Sequence, residues 1–118
     1  MGFEKGVEST RQQKIAKQIQ RDMAEILQRE CGEIFKGLLL TVTAVRVSPD
    51  FGYAKIYVSV FPFSRNEEVL GLLKTHNWSI RRSLGMRVKH QLKIVPEIEF
   101  FLDDSLEYIE SIDRAMKS

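Results

Sequence analysis

The sequence predicts one small α+β domain of two layers, in the order α-β-β-α-kink-α-β, with a three-stranded sheet covered by helices on one face. Three observations carry this. Ile15, Ile19, Met23, Ile26 and Leu27 follow one another at the spacing of a helix face. Tyr53 to Phe61 alternates strictly between apolar residues (Ala54, Ile56, Val58, Val60) and a mixed set (Tyr53, Lys55, Tyr57, Ser59, Phe61), the period of a strand. Helical spacing then returns from Val69 to Val88 before a last alternating run at Ile98, Phe100 and Leu102. A chain of 118 residues suits one core and not two. Residues 1–8 read as a tail, 9–112 as the domain and 113–118 as a second tail.

Each element has its own signals. Ser9 and Gln12 form a capping box, in which each side chain satisfies an orphan backbone donor of the first helix. Lys14, Lys17 and Arg21 fall nearly opposite its apolar face, and Gly32 after Cys31 offers a stop. Leu38 to Ser48 is rich in β-branched residues, but its alternation slips between Val42 and Val45, which predicts a bulge. Ser48-Pro49-Asp50-Phe51-Gly52 carries turn chemistry, so the first two strands should form an antiparallel hairpin. Pro62 ends the second strand, and Ser64 with Glu67 suggests another capping box for a helix burying Val69, Leu70, Leu72 and Leu73. The pattern breaks at Lys74 to Trp78, where Asn77 would tolerate a left-handed kink. The next helix has Ile80, Leu84 and Val88 inside, Arg82, Lys89 and His90 pointing away, and Arg81 and Arg87 on the flanks. Gly85 within it implies close packing on a neighbour. Leu92 to Leu102 reads as an edge or bulged strand because Pro96 cannot donate to a ladder. Asp103, Asp104 and Ser105 offer caps for a short acidic helix beyond it.

Composition narrows the function classes. Hydrophobic residues make up 43% and charged residues 29%, as in ordinary globular domains. No apolar run approaches the ~20 residues of a membrane span, and the first residues lack the apolar centre of a secretory signal. Gly2 does not open a myristoylation motif, because Gly6 stands where that motif needs Ser or Thr. A single cysteine, Cys31, cannot close an internal disulfide. These features point to a cytoplasmic protein, expected to be a monomer. His76, His90 and Cys31 show no metal-ligand spacing, Cys31 has no signature of an activating base, and Asp103 and Asp104 serve capping more simply than acid/base work. With no phosphate-loop pattern either, the sequence points to no enzyme, no cofactor and no small-molecule substrate.

The strongest functional signal is electrostatic. The net charge of +2 hides a run from Val69 to Pro96 that contains no Asp or Glu. That run holds Lys74, Arg81, Arg82, Arg87, Lys89, Lys93 and both histidines. An exposed helix normally interleaves both signs, so an acid-free run is a candidate polyanion-binding surface. Arg81, Arg82, Arg87 and Lys89 are assigned to backbone phosphates, Lys74 and Lys93 extend the track, and Asn77 joins them at the junction. Lys14, Lys17 and Arg21 are secondary candidates, whose relevance depends on lying beside that run. Trp78 reads first as a core anchor at the helix junction and second as a ring that stacks on a base. A competing reading is a protein-interaction module that uses the exposed, tyrosine-bearing face of the sheet.

Four segments also resemble the ribosome-binding factor A family of bacterial small-subunit maturation factors. They are Ser9 to Arg29 (STRQQKIAKQIQRDMAEILQR), Val45 to Val60 (VRVSPDFGYAKIYVSV), Ile80 to Gly85 (IRRSLG) and Leu92 to Ser105 (LKIVPEIEFFLDDS). The resemblance implies a type II KH-like fold in which an Ala-x-Gly kink replaces the KH Gly-x-x-Gly loop. The corresponding place here reads His76-Asn77-Trp78. It also implies binding to 16S ribosomal RNA on the free 30S subunit late in assembly, support of 5′-end processing of that RNA and of cold adaptation, and no catalysis.

Overall fold

The computed structural model describes residues 9–103. The tails expected at 1–8 and 113–118, the acidic helix expected after Asp103 and the domain end expected at 112 fall outside the described residues. Ser9 caps helix α1 (Thr10–Glu25) as its sequence implies: the Gln12 amide N–H donates to Ser9 Oγ, and Gln12 Oε1 accepts from the Ser9 N–H. The Gln12 side chain then reaches out of the helix, donating to the Val47 carbonyl at 3.1 Å in a buried contact. One residue thus starts the helix and fixes it to the sheet. The helix passes into a single π turn, Ile26–Glu30, in which the Cys31 N–H donates to the Ile26 carbonyl. The helical run ends near Gly32, but Gly37 (φ 80°) takes the left-handed conformation that leads into the sheet.

Strands β1 (Leu39–Val47) and β2 (Tyr53–Phe61) pair antiparallel, and β3 (Glu97–Leu102) adds parallel to β2, giving the order β1-β2-β3. The predicted slip is real: the register shifts between Val42 and Ala44, so Thr43 is the extra residue. The bulge keeps Val42, Val45 and Val47 on the buried face. Cross-strand partners then match in kind, with Ala54 beside Ile98 and Ile56 beside Phe100 on the core side. The turn between β1 and β2 is held by Asp50 Oδ1, which accepts from the Ser48 hydroxyl and the Gly52 N–H. Those two hydrogen bonds lower the Asp50 carboxyl from its ordinary value.

Helices α2 (Asn66–Thr75) and α3 (Asn77–Val88) form the crossover between the parallel strands. Ile19, Met23 and Ile26 of the first helical run meet Val69 and Leu73 of α2, and Ile80, Leu84 and Val88 of α3, in one core over the sheet. The order and the one-sided layering are those read from the sequence.

Several local expectations change. Ser64 and Glu67 make no capping box. Residues Phe63–Arg65 form a 3₁₀ turn, α2 starts at Asn66, and no side chain caps it. Asn77 is not left-handed; it is the first helical residue of α3, and the break falls at His76 (φ −99°, ψ 12°). The last strand begins only after Pro96, because residues 92–96 are an irregular loop. The second sheet face is less open than alternation implied. Lys55 is only 6% exposed and Ser59 is buried, while Tyr57 stacks on Phe101 with 5.5 Å between ring centroids.

Gly85 shows why that loop lies close to α3. A Cβ at this position would fall 2.7 Å from Val95 Cγ2, closer than a side-chain contact permits. We expect Gly85→Ala to destabilise the fold by about 1–2 kcal/mol, the overpacking cost exceeding the ~1 kcal/mol gain in helix propensity. Adding Val95→Ala should recover most of the loss. Urea denaturation of the two variants measures both, and a raised midpoint for Gly85→Ala alone would show that the loop yields freely.

Candidate nucleic-acid interface

Because α1 and α3 both bury their apolar stripes against the same sheet face, their outer faces emerge on one side of the domain. Arg11, Lys14, Lys17 and Arg21 follow at helical spacing on the exposed side of α1. They line a shallow groove together with Gln91, which follows α3. Arg11 and Gln91 also line an adjoining depression with Lys89, His90, Lys93 and the Asp50-Phe51-Gly52 turn. Arg11 is held there by its guanidinium, 4.7 Å from the centre of the Phe51 ring. The cations of the first helix therefore do lie beside the acid-free run, at its C-terminal end. Lys14, Lys17, Lys89 and Lys93 are exposed and form no ion pair among the described residues.

The acid-free run is not free of acids in space. Arg87 reaches α1 and the π turn, with Nη1 2.5 Å from Glu25 Oε1 and 3.7 Å from Asp22 Oδ1, and Nη2 3.5 Å from Glu30 Oε2. Ser83 supports the same junction by donating to Glu30 at 2.7 Å. Arg81 donates to the carbonyls of Pro96 at 3.0 Å and Val95 at 2.8 Å, and lies 3.5 Å from Glu97. Asn77 donates its amide to the Ile98 carbonyl at 3.1 Å. These three candidates hold the crossover to α1 and β3, and their polar groups are engaged within the protein. Arg82, Lys74, Lys89 and Lys93 remain exposed.

The candidates thus divide into two regions. One joins α1 to the end of α3 through Arg11, Lys14, Lys17, Arg21, Lys89 and Lys93. The other lies at the α2–α3 junction, with Lys74, Arg82 and an unexpected Trp78. The tryptophan is 70% exposed and is not the core anchor expected of it. Arg11 and Gln91 were missing from the sequence candidates. Arg11 could have been found by extending the cationic stripe of α1 one turn towards its N-terminus, whereas nothing local marks Gln91. Burial, and secondarily the Glu30 carboxylate, raises the Cys31 thiol above its ordinary value, so it stays protonated and unreactive. No group of three or more His, Cys, Asp or Glu among the described residues could hold a metal ion, and no helix there is long and apolar enough to cross a membrane.

The family model described as Ribosome-binding factor A matches residues 11–116. The chain belongs to that family. It is 42% identical over 113 residues to the ribosome-binding factor A of Christiangramia forsetii, covering 93% of this chain and 85% of that protein. Among solved structures it is similar to the crystal structure of ribosome-binding factor A from Thermus thermophilus, with a TM-score of 0.66 and 28% identity over 77% of this chain and 94% of that one. It is also similar to coordinates of the Thermus thermophilus factor fitted into a cryo-EM map of its 30S complex, with a TM-score of 0.62 and 29% identity over 75% and 91% of the two chains. The type II KH-like order expected from the sequence is therefore the fold of this ribosome-binding factor A family member.

The Arg87 cluster makes a testable statement about stability. The Arg87 hydrogen bond, and then its charge, lowers the Glu25 carboxyl from its ordinary value. A carboxylate lowered in the fold stabilises it above the unfolded-state pKa and loses that contribution as pH falls through the folded value. Arg87→Gln should therefore lower the Tm at neutral pH, with the difference from wild type shrinking below about pH 4. Thermal melts followed by circular dichroism across that range would show it.

Proposed function

We propose that this chain is a non-catalytic assembly factor that binds the free 30S subunit in the cytoplasm, as a monomer, through 16S ribosomal RNA. The observation that carries the proposal is the joined basic surface of α1 and the end of α3. There Lys14, Lys17, Lys89 and Lys93 lie exposed without carboxylate partners among the described residues. Side chains placed this way suit a phosphate backbone, which binds by releasing condensed counterions. The relative in Thermus thermophilus was fitted in a complex with 30S, which supports the same partner here. Late maturation, 5′-end processing of 16S rRNA and cold adaptation complete the proposal by family likeness.

Anchoring reassigns the expected contacts. Arg82, Lys74, Lys89 and Lys93 keep their assignment to RNA, Lys14, Lys17 and Arg21 move from secondary to principal positions, and Arg11 joins them. Arg81, Arg87 and Asn77 act by positioning the helices. The alternative of a protein-binding sheet face has less support, because Lys55 and Ser59 are buried within that face.

Co-sedimentation with purified 30S subunits tests this. Combined Lys14→Glu, Lys17→Glu and Lys89→Glu substitutions should weaken binding by at least about tenfold while leaving the melting curve unchanged. If five cations of the patch meet phosphates on duplex-like RNA, the log–log salt slope should be roughly −4 to −5. Salt-independent binding, or full binding by the triple variant, would remove this surface from the interface.

A further inference from the structure

Trp78, the only tryptophan of the chain, is the second residue of α3. It lies two residues, or about 200° around the helix, from Ile80, which starts the buried stripe of α3. The ring therefore projects away from the core. Arg82, one turn further on, places its guanidinium 5.6 Å from the centre of the indole. The two line a small depression with Arg81 and Val95. Its floor is fixed, because Arg81 donates to the backbone carbonyls of Val95 and Pro96. With 70% of Trp78 exposed, the contact with Arg82 leaves most of the indole open. Lys74, four residues earlier on α2, adds an exposed cation without an ion pair among the described residues.

We propose that Trp78 and Arg82 form a stacking site for a single unpaired nucleobase of RNA, with Arg82 and Lys74 meeting the adjoining phosphates. The inference rests on the RNA-binding reading above and deepens it by naming the state of the nucleotide. A flat apolar ring beside a planar cation matches a nucleotide, which is itself a flat ring joined to an anion. A duplex offers phosphates but keeps its base faces stacked, so the site discriminates unpaired from paired RNA. Base identity matters little, since every base presents a π face.

The single tryptophan makes its own fluorescence the probe. An oligouridylate of about ten nucleotides should quench it saturably, whereas duplex RNA of equal phosphate content should not. By anisotropy of a labelled oligouridylate, Trp78→Ala should weaken binding roughly tenfold and Trp78→Phe much less, both with wild-type melting curves. Three results would overturn the site: oligouridylate binding without quenching, equal quenching by duplex RNA, or unchanged affinity of Trp78→Ala. Failure of Trp78→Ala to bind 30S subunits while it binds oligouridylate normally would also overturn it, pointing to a protein contact instead. The titration needs no subunit, so these outcomes are separate from the co-sedimentation that tests the proposed function.

Discussion

Ala54, Ile56, Val58 and Val60 turn one face of the central strand into the floor on which three helices must sit. A three-stranded sheet is too narrow for those helices to scatter, so each buries a single stripe and points its opposite face outward. The outer faces of α1 and α3 then share one side of the molecule, although their cations lie far apart in the sequence. The basic surface is a consequence of how the apolar stripes are covered. Gln12 secures this arrangement by joining the start of α1 to the end of β1 through a buried hydrogen bond. Losing the Gln12 side chain would leave the buried Val47 carbonyl short of a partner and the Ser9 N–H without its reciprocal acceptor, while Ser9 still caps the helix.

Within that frame the cations do two kinds of work. Arg81 and Arg87 spend their guanidinium donors on carbonyls and carboxylates of neighbouring elements, where planar geometry lets one side chain satisfy several partners. The exposed lysines make no such commitments and stay available to a diffuse anionic partner. Arg82 stands between, resting on an exposed ring. The distinction matters because a variant at an anchoring arginine disturbs the fold and the surface together, whereas a lysine variant reports on the surface alone.

Periodicity made most of the fold legible. The stripes of α1 and α3, the alternation of β2 and the slip at Thr43 all reflect burial, which acts on neighbouring residues and so leaves a local trace. Features set by distant partners left none. The carboxylates that meet Arg87 lie some sixty residues earlier, so a charge count along the chain saw only an acid-free run. Ser64 and Glu67 had the spacing of a cap, but the 3₁₀ turn after Pro62 takes in Ser64 and moves the helix start to Asn66, which leaves Glu67 inside the first turn of α2. Residue preference alone places Trp78 in the core, because it carries no information about which side of the junction the helix turns towards its neighbours.

The π turn at Ile26–Glu30 has a further implication. It holds one residue more per turn than an ordinary helix, which changes the phase of everything after it by roughly 100°. That phase brings Glu30 to Ser83 and Arg87 while Ile26 and Leu27 stay buried. Deleting a single residue there would restore a regular helix yet swing Glu30 and Cys31 off the line they now follow. This short segment should therefore tolerate changes of side chain far better than changes of length, as a gear tolerates wear on a tooth but not the loss of one.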